Sequence, residues 1–118
     1  MKRTVSGISF EQGEILLIAF PFSDLSKMKQ RPVLVLSNKT HNDVSSDFVC
    51  CGITSNLDNK KYSILLERGD VLDGGIPKTS RIKFSKIFTL EKSLVVKRLG
   101  RVKNEKFNQV RKSLSELM

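Results

Sequence analysis

Short apolar runs punctuate the first half of the chain. Glu14–Phe20 is apolar on both faces and too short for a helix, which predicts a buried strand. Val33–Leu36 predicts a second strand, Phe48–Thr54 a third and Tyr62–Glu67 a fourth. Gly52, inside the third run, marks a bulge or a close backbone approach. Arg81–Ser85 alternates, with Ile82 and Phe84 on one face and Arg81 and Lys83 on the other. The alternation breaks at Lys86-Ile87-Phe88, where a bulge or bend is expected. Arg68–Pro77 reads as a glycine-rich loop, and Leu94–Val102 as a turn followed by a strand.

The last segment changes period. Phe107, Val110, Leu114 and Leu117 recur at spacings of three and four, predicting a helix that docks on the sheet. Asn104 is expected to cap it, with Glu105 in the first turn, where a carboxylate suits the helix dipole. Short strands, then one helix, with no βαβ alternation, predict a small antiparallel β-barrel closed by a C-terminal helix. No repeat or linker interrupts residues 1–118, which read as one domain, with residues 1–12 expected to be a flexible N-terminal extension.

Composition narrows the function classes. Hydrophobic residues at 39% and charged residues at 28% belong to a globular chain, not a disordered one. Cys50 and Cys51 are adjacent on a predicted strand, so they point to opposite faces and are poorly placed to bond each other. One histidine and no CxxC spacing argue against a zinc site. Ile15–Phe22 is far too short to span a bilayer, so a soluble, cytoplasmic protein is expected. The net charge of +9 suits a polyanion or an acidic protein partner.

One loop is longer than its role requires. Pro21–Arg31 joins the first two strands, whereas hairpin loops usually hold about 2–5 residues. It carries Lys27 and Lys29 and ends at Arg31-Pro32. Pro32 forces Arg31 into an extended conformation and so fixes where the guanidinium leaves the backbone. A planar fork with a fixed origin is a good ligand for phosphate.

These segments together resemble a known family. Gly13-Glu14-Ile15, Phe20-Pro21-Phe22-Ser23-Asp24-Leu25-Ser26 and Arg31-Pro32-Val33-Leu34-Val35-Leu36-Ser37 resemble the opening of MazF/PemK toxins. Ile53-Thr54-Ser55, Lys86–Ser93 and Leu99-Gly100-Arg101-Val102 match the same family further along. The resemblance implies an SH3-like barrel of the CcdB/PemK type with a C-terminal helix. It also implies a homodimer whose shared groove binds single-stranded RNA. It further implies cleavage without metal or cofactor, and restraint by an antitoxin with an acidic, disordered segment.

In such a reaction the ribose 2′-OH attacks the adjacent phosphate, leaving a 2′,3′-cyclic phosphate and a 5′-OH. The resemblance assigns Arg31 to stabilise charge on phosphorus and to protonate the leaving oxygen. It assigns Thr54 to hydrogen-bond the scissile phosphate; alone, Thr54-Ser55-Asn56 reads equally as a turn. Lys27, Lys29 and Ser55 are expected to bind RNA.

The general base is open. Many relatives carry a glutamate shortly before the arginine, but Ser26-Lys27-Met28-Lys29-Gln30 holds no carboxylate. Asp24 is the nearest acid, and a turn-forming role suits it as well. His41 lies in a polar stretch and reads as solvated. Ser80-Arg81 replaces an Asp-Gln pair of other branches, so Arg81 and Lys83 are expected to grip phosphate from an outward face. Two other readings stay open at this stage: a same-fold toxin that poisons DNA gyrase, as the CcdB family does, and a non-catalytic basic binding module.

Overall fold

The computed structural model describes residues 10–21 and 28–118. Seven strands form one antiparallel sheet: β1 Glu14–Pro21, β2 Met28–Val35, β3 Asp47–Thr54, β4 Ser63–Leu66, β5 Val71–Leu72, β6 Ser80–Glu91 and β7 Val95–Val102. Their spatial order is β4-β6-β3-β2-β1-β7-β5. The sheet curls into a half-barrel whose edges, β4 and β5, are not paired with each other. Helix α2, Asn104–Leu117, packs on its inner face, and a short helix α1, Lys39–Val44, links β2 to β3.

The strands are buried on both faces because the sheet separates two apolar clusters. Ile15, Leu34, Cys51, Ile53 and Ile82 meet Phe107 and Val110 of α2 on one side. Leu16, Ile18, Val33, Val35, Phe48 and Cys50 meet Phe10 on the other. Cys50 and Cys51 thus sit in different clusters as free thiols, as strand alternation requires. Burial pushes both thiols up to about 12, with Cys50 adding to the effect on Cys51.

Several boundaries differ from the sequence reading. Phe10, assigned to an extension, is 1% exposed and stacks edge-on against Phe48 at 5.5 Å. Gln12 Nε2 also donates to the Leu36 carbonyl, so residues 10–12 belong to the packed domain; the rest of the expected extension lies outside the described residues. The polar stretch at His41 is helix α1: Asn38 caps it by accepting from the His41 amide. Periodicity missed it because one turn and a half buries a single side chain, Asn42, which donates to the Phe10 and Ser37 carbonyls. At α2 the cap position is Lys103, not Asn104, and makes no side-chain cap bond. The end of the predicted stripe, Leu117, is exposed.

The Arg68–Pro77 segment contains a 3-10 turn, Arg68–Asp70, and then β5. Of its three glycines, Gly74 has a steric reason: a Cβ there would lie 2.0 Å from the Leu99 carbonyl oxygen of β7. No helix among the described residues is long and apolar enough to cross a membrane.

Candidate active site

β2 and β3 run paired through Val33↔Gly52, Leu34↔Cys51 and Val35↔Cys50, and the pairing ends there. The next residue of β2 is Pro32, which has no N–H to give a neighbour. Beyond it the two strands part, although β2 stays paired with β1 out to Pro21↔Met28. Carried on by two residues, the β2–β3 register sets Arg31 across from Thr54. The proline that orients Arg31 therefore also stands where the sheet opens.

The opening is a groove of about 360 Å³ lined by Phe20, Arg31, Pro32, Val33, Gly52, Ile53, Thr54, Asn59, Lys83, Lys86 and Phe88. Its floor is low because Gly52 lies between Val33 on β2 and Lys83 on β6. Its far wall comes from a β6 bulge: Cys51 pairs with Ile87 but Gly52 with Lys83, leaving three residues of β6 out of register. A bulge re-aims side chains, and Lys86 and Phe88 both reach the groove. The sequence placed an irregularity at this point from the broken alternation. Phe88 is 37% exposed and meets Phe20 edge-on at 5.6 Å.

Arg31 and Thr54, expected to act together, thus line one groove from separate strands. Thr54 Oγ1 accepts from the Asn56 amide at 3.1 Å, so it is also the turn former that its sequence context suggested. Its hydroxyl proton is not spent in that bond, since there the oxygen accepts. Lys29 is exposed on the same strand as Arg31, two residues away and hence on the same face. Ser55 is exposed just beyond β3 and does not line the groove. Asp24 and Lys27 lie outside the described residues. His41 lies on α1 with Nε2 3.6 Å from Asp47 Oδ1, not in the groove.

Arg81 and Lys83, expected to grip phosphate from an outward face, are half-buried and buried respectively. The segment 55–62 between β3 and β4 folds over them. Arg81 donates through Nε to the Leu57 carbonyl at 2.9 Å and through a terminal nitrogen to Ser63 Oγ at 3.2 Å. Lys83 is only 6% exposed, and its Nζ donates to Asn59 Oδ1 at 2.8 Å and to the Lys61 carbonyl. Burial, then the charges of Lys86 and Arg81, hold the Lys83 pKa below its ordinary value. Alternation gives the face of a strand but not what covers that face, which is why sequence reasoning missed this. Lys86 and Phe88 were also missed as groove residues, since their direction depends on the bulge.

No group of three or more His, Cys, Asp or Glu side chains gathers among the described residues. The groove's ionisable lining, Arg31, Lys83 and Lys86, is wholly basic. Such a surface favours a substrate that brings negative charge with it.

Known structures share this architecture. The chain is similar to MazF in a MazE–MazF complex from Deinococcus radiodurans, with 20% identity, coverage of 93% and 96% of the two chains, and a TM-score of 0.77. It is similar to an endoribonuclease in complex with its cognate antitoxin from a mycobacterial species, with 19% identity, coverage of 92% and 91%, and a TM-score of 0.72. At these identities the likeness establishes the fold. No curated protein matches the sequence. The profile of PemK-like, MazF-like toxins of type II toxin–antitoxin systems matches residues 11–118, and the chain belongs to that family.

Proposed function

We propose that the protein is an endoribonuclease toxin that cleaves single-stranded RNA in the groove between β2 and β3. The observation that carries this reading is the meeting of Arg31 and Thr54 in one cationic groove. The 2′-OH attacks the adjacent phosphate and yields a 2′,3′-cyclic phosphate and a 5′-OH. Arg31 stabilises the added charge on phosphorus with a directed guanidinium and protonates the leaving oxygen, while Thr54 donates its hydroxyl to a phosphate oxygen. Lys86 and Lys29 hold neighbouring phosphates. Phe88, set edge-on to Phe20, offers an unpaired base a stacking face. No step calls for a metal, because the substrate supplies the nucleophile.

The partners follow from the same reading. The protein acts in the cytoplasm as a homodimer and is neutralised by an antitoxin whose acidic, disordered segment folds along the basic surface. The antitoxin complexes among the similar folds support this assignment. The net charge of +9 complements such a segment.

The test is incubation of purified protein with mixed-sequence single-stranded RNA in excess EDTA, beside Arg31→Ala. Wild type cleaves and leaves cyclic phosphate ends; Arg31→Ala does not. Intact RNA together with growth arrest that persists in Arg31→Ala would instead identify a toxin acting on another target, such as gyrase.

A further inference from the structure

Lys83 is held in an arrangement that fits a neutral amine as well as an ammonium. An ammonium has three N–H donors; a neutral amine has two, with a lone pair in the third position. Two acceptors already stand at Lys83 Nζ, Asn59 Oδ1 and the Lys61 carbonyl, both from the segment that covers it. The remaining tetrahedral position has no partner among the described residues. In the neutral form both N–H bonds are satisfied, and the lone pair occupies that remaining position.

Lys83 also lines the groove that holds Arg31 and Thr54. It pairs with Gly52, which has no side chain to block it, and Thr54 follows two residues along the same strand. Lys83 is therefore the diagonal neighbour of Thr54, about 7–8 Å away between Cα atoms.

The charges around it favour the neutral amine. Arg81 and Lys86 flank it on its own strand, and Arg31 faces the groove from β2. β3 and β4 contribute Gly52, Thr54 and Ser63, none of them charged. The covering segment carries Lys60, Lys61 and one carboxylate, Asp58, which makes no ion pair with Lys83. Burial, then the charges of Lys86 and Arg81, lower its pKa, the direction that a lysine acting as a base requires.

We propose that Lys83 is the proton acceptor of the cleavage reaction, taking the proton of the attacking 2′-OH while Arg31 and Thr54 hold the phosphate. This rests on the ribonuclease reading above and fills the role left open by the missing carboxylate before Arg31. The bond from the 2′-oxygen to phosphorus forms and the bond from phosphorus to the 5′-oxygen breaks. The 2′-OH proton passes to Lys83 Nζ, and the departing 5′-oxygen takes a proton from Arg31. Lys83 then releases its proton to water and Arg31 regains one, so each turnover ends with the protein as it began.

The experiment is the pH dependence of kcat at saturating RNA for wild type, Lys83→Met and Asn59→Asp. Wild-type kcat is expected to rise with pH along an acid-side limb. Lys83→Met lowers kcat by about 10²–10⁴-fold, the usual worth of a positioned base, and removes the limb without a comparable rise in KM. Asn59→Asp keeps an acceptor 2.8 Å from Nζ but makes it anionic, which favours the ammonium and moves the limb to higher pH. A limb that survives in Lys83→Met, or stays in place in Asn59→Asp, overturns the assignment. If Lys83→Met does not fold, Asn59→Asp decides alone. Absence of cleavage by wild type refutes the ribonuclease reading itself, and the role of Lys83 falls with it. That failure is distinct from cleavage whose pH dependence ignores Lys83.

Discussion

Gly52 allows the groove to be blocked without disturbing the fold. It lies in β3 between Val33 and Lys83, on the groove floor. A Cβ placed there would come 3.7 Å from a Phe88 ring carbon and 3.9 Å from Lys86 Cβ, both ordinary contacts. Its backbone is not in the left-handed region that would penalise a side chain. Gly52→Ala therefore meets no clash and gains the advantage of alanine over glycine within a strand, about 0.5–1 kcal/mol. Gly52→Leu has the same clearance at its Cβ, but its outer atoms stand where a phosphate must approach Arg31 and Thr54. Moving a reacting group by about 1 Å costs on the order of 100-fold in rate, or about 2.7 kcal/mol of transition-state stabilisation. Urea unfolding followed by circular dichroism should place both variants within about 1 kcal/mol of wild type or above it. Cleavage of a labelled RNA should then show kcat/KM near wild type for Gly52→Ala and at least about 100-fold lower for Gly52→Leu. A folded Gly52→Leu protein that cleaves at the wild-type rate would remove this groove from the reaction.

Other perturbations test the fold around the site. Phe10→Ala deletes a ring that is 1% exposed, and denaturant unfolding should show a loss of about 3–5 kcal/mol; a loss under 1 kcal/mol would return Phe10 to a dispensable extension. Gly74→Ala forces a Cβ to 2.0 Å from a carbonyl oxygen at φ +151°, so the melting temperature should fall by several degrees; an unchanged melting temperature would contradict the close approach of β7. The Cys50 and Cys51 thiols, at about 12 in the fold against 9.0 when free, bind protons more tightly folded than unfolded. Their contribution to stability is full below pH 9 and is lost as pH rises towards 12; replacing both with alanine should flatten that decline. RNA binding should weaken linearly in log–log with salt, and Lys86→Ala should reduce the slope by about one.

Much of this protein was legible in its residues. The apolar runs gave the principal strands because a strand buried on both faces must be apolar throughout, whatever it packs against. The 3.6-residue period gave α2 for the same local reason, and the broken alternation at Lys86–Phe88 marked the bulge. The ordered motifs from Gly13 onward placed the chain in its family, since a family match depends on residue order along the chain rather than on packing. Arg31 stood out through its fixed place before Pro32 as well as through that match, whereas Thr54 stood out through the match alone.

Tertiary structure decided the rest. Helix α1 is too short to show a period, and it holds through one cap and one buried amide, Asn42, whose partners are Phe10 and Ser37. The groove exists because β2 and β3 separate beyond Val33, which depends on where a neighbouring strand stops pairing. Lys83 shows the limit most clearly. Its place in an alternating strand assigns it a face, but its burial and its two acceptors come from a segment more than 20 residues earlier in the chain. A side chain's face follows from its own strand, whereas its solvation and charge environment follow from whatever the fold lays over it. Chemistry that depends on solvation, such as proton transfer, is therefore decided by the tertiary structure.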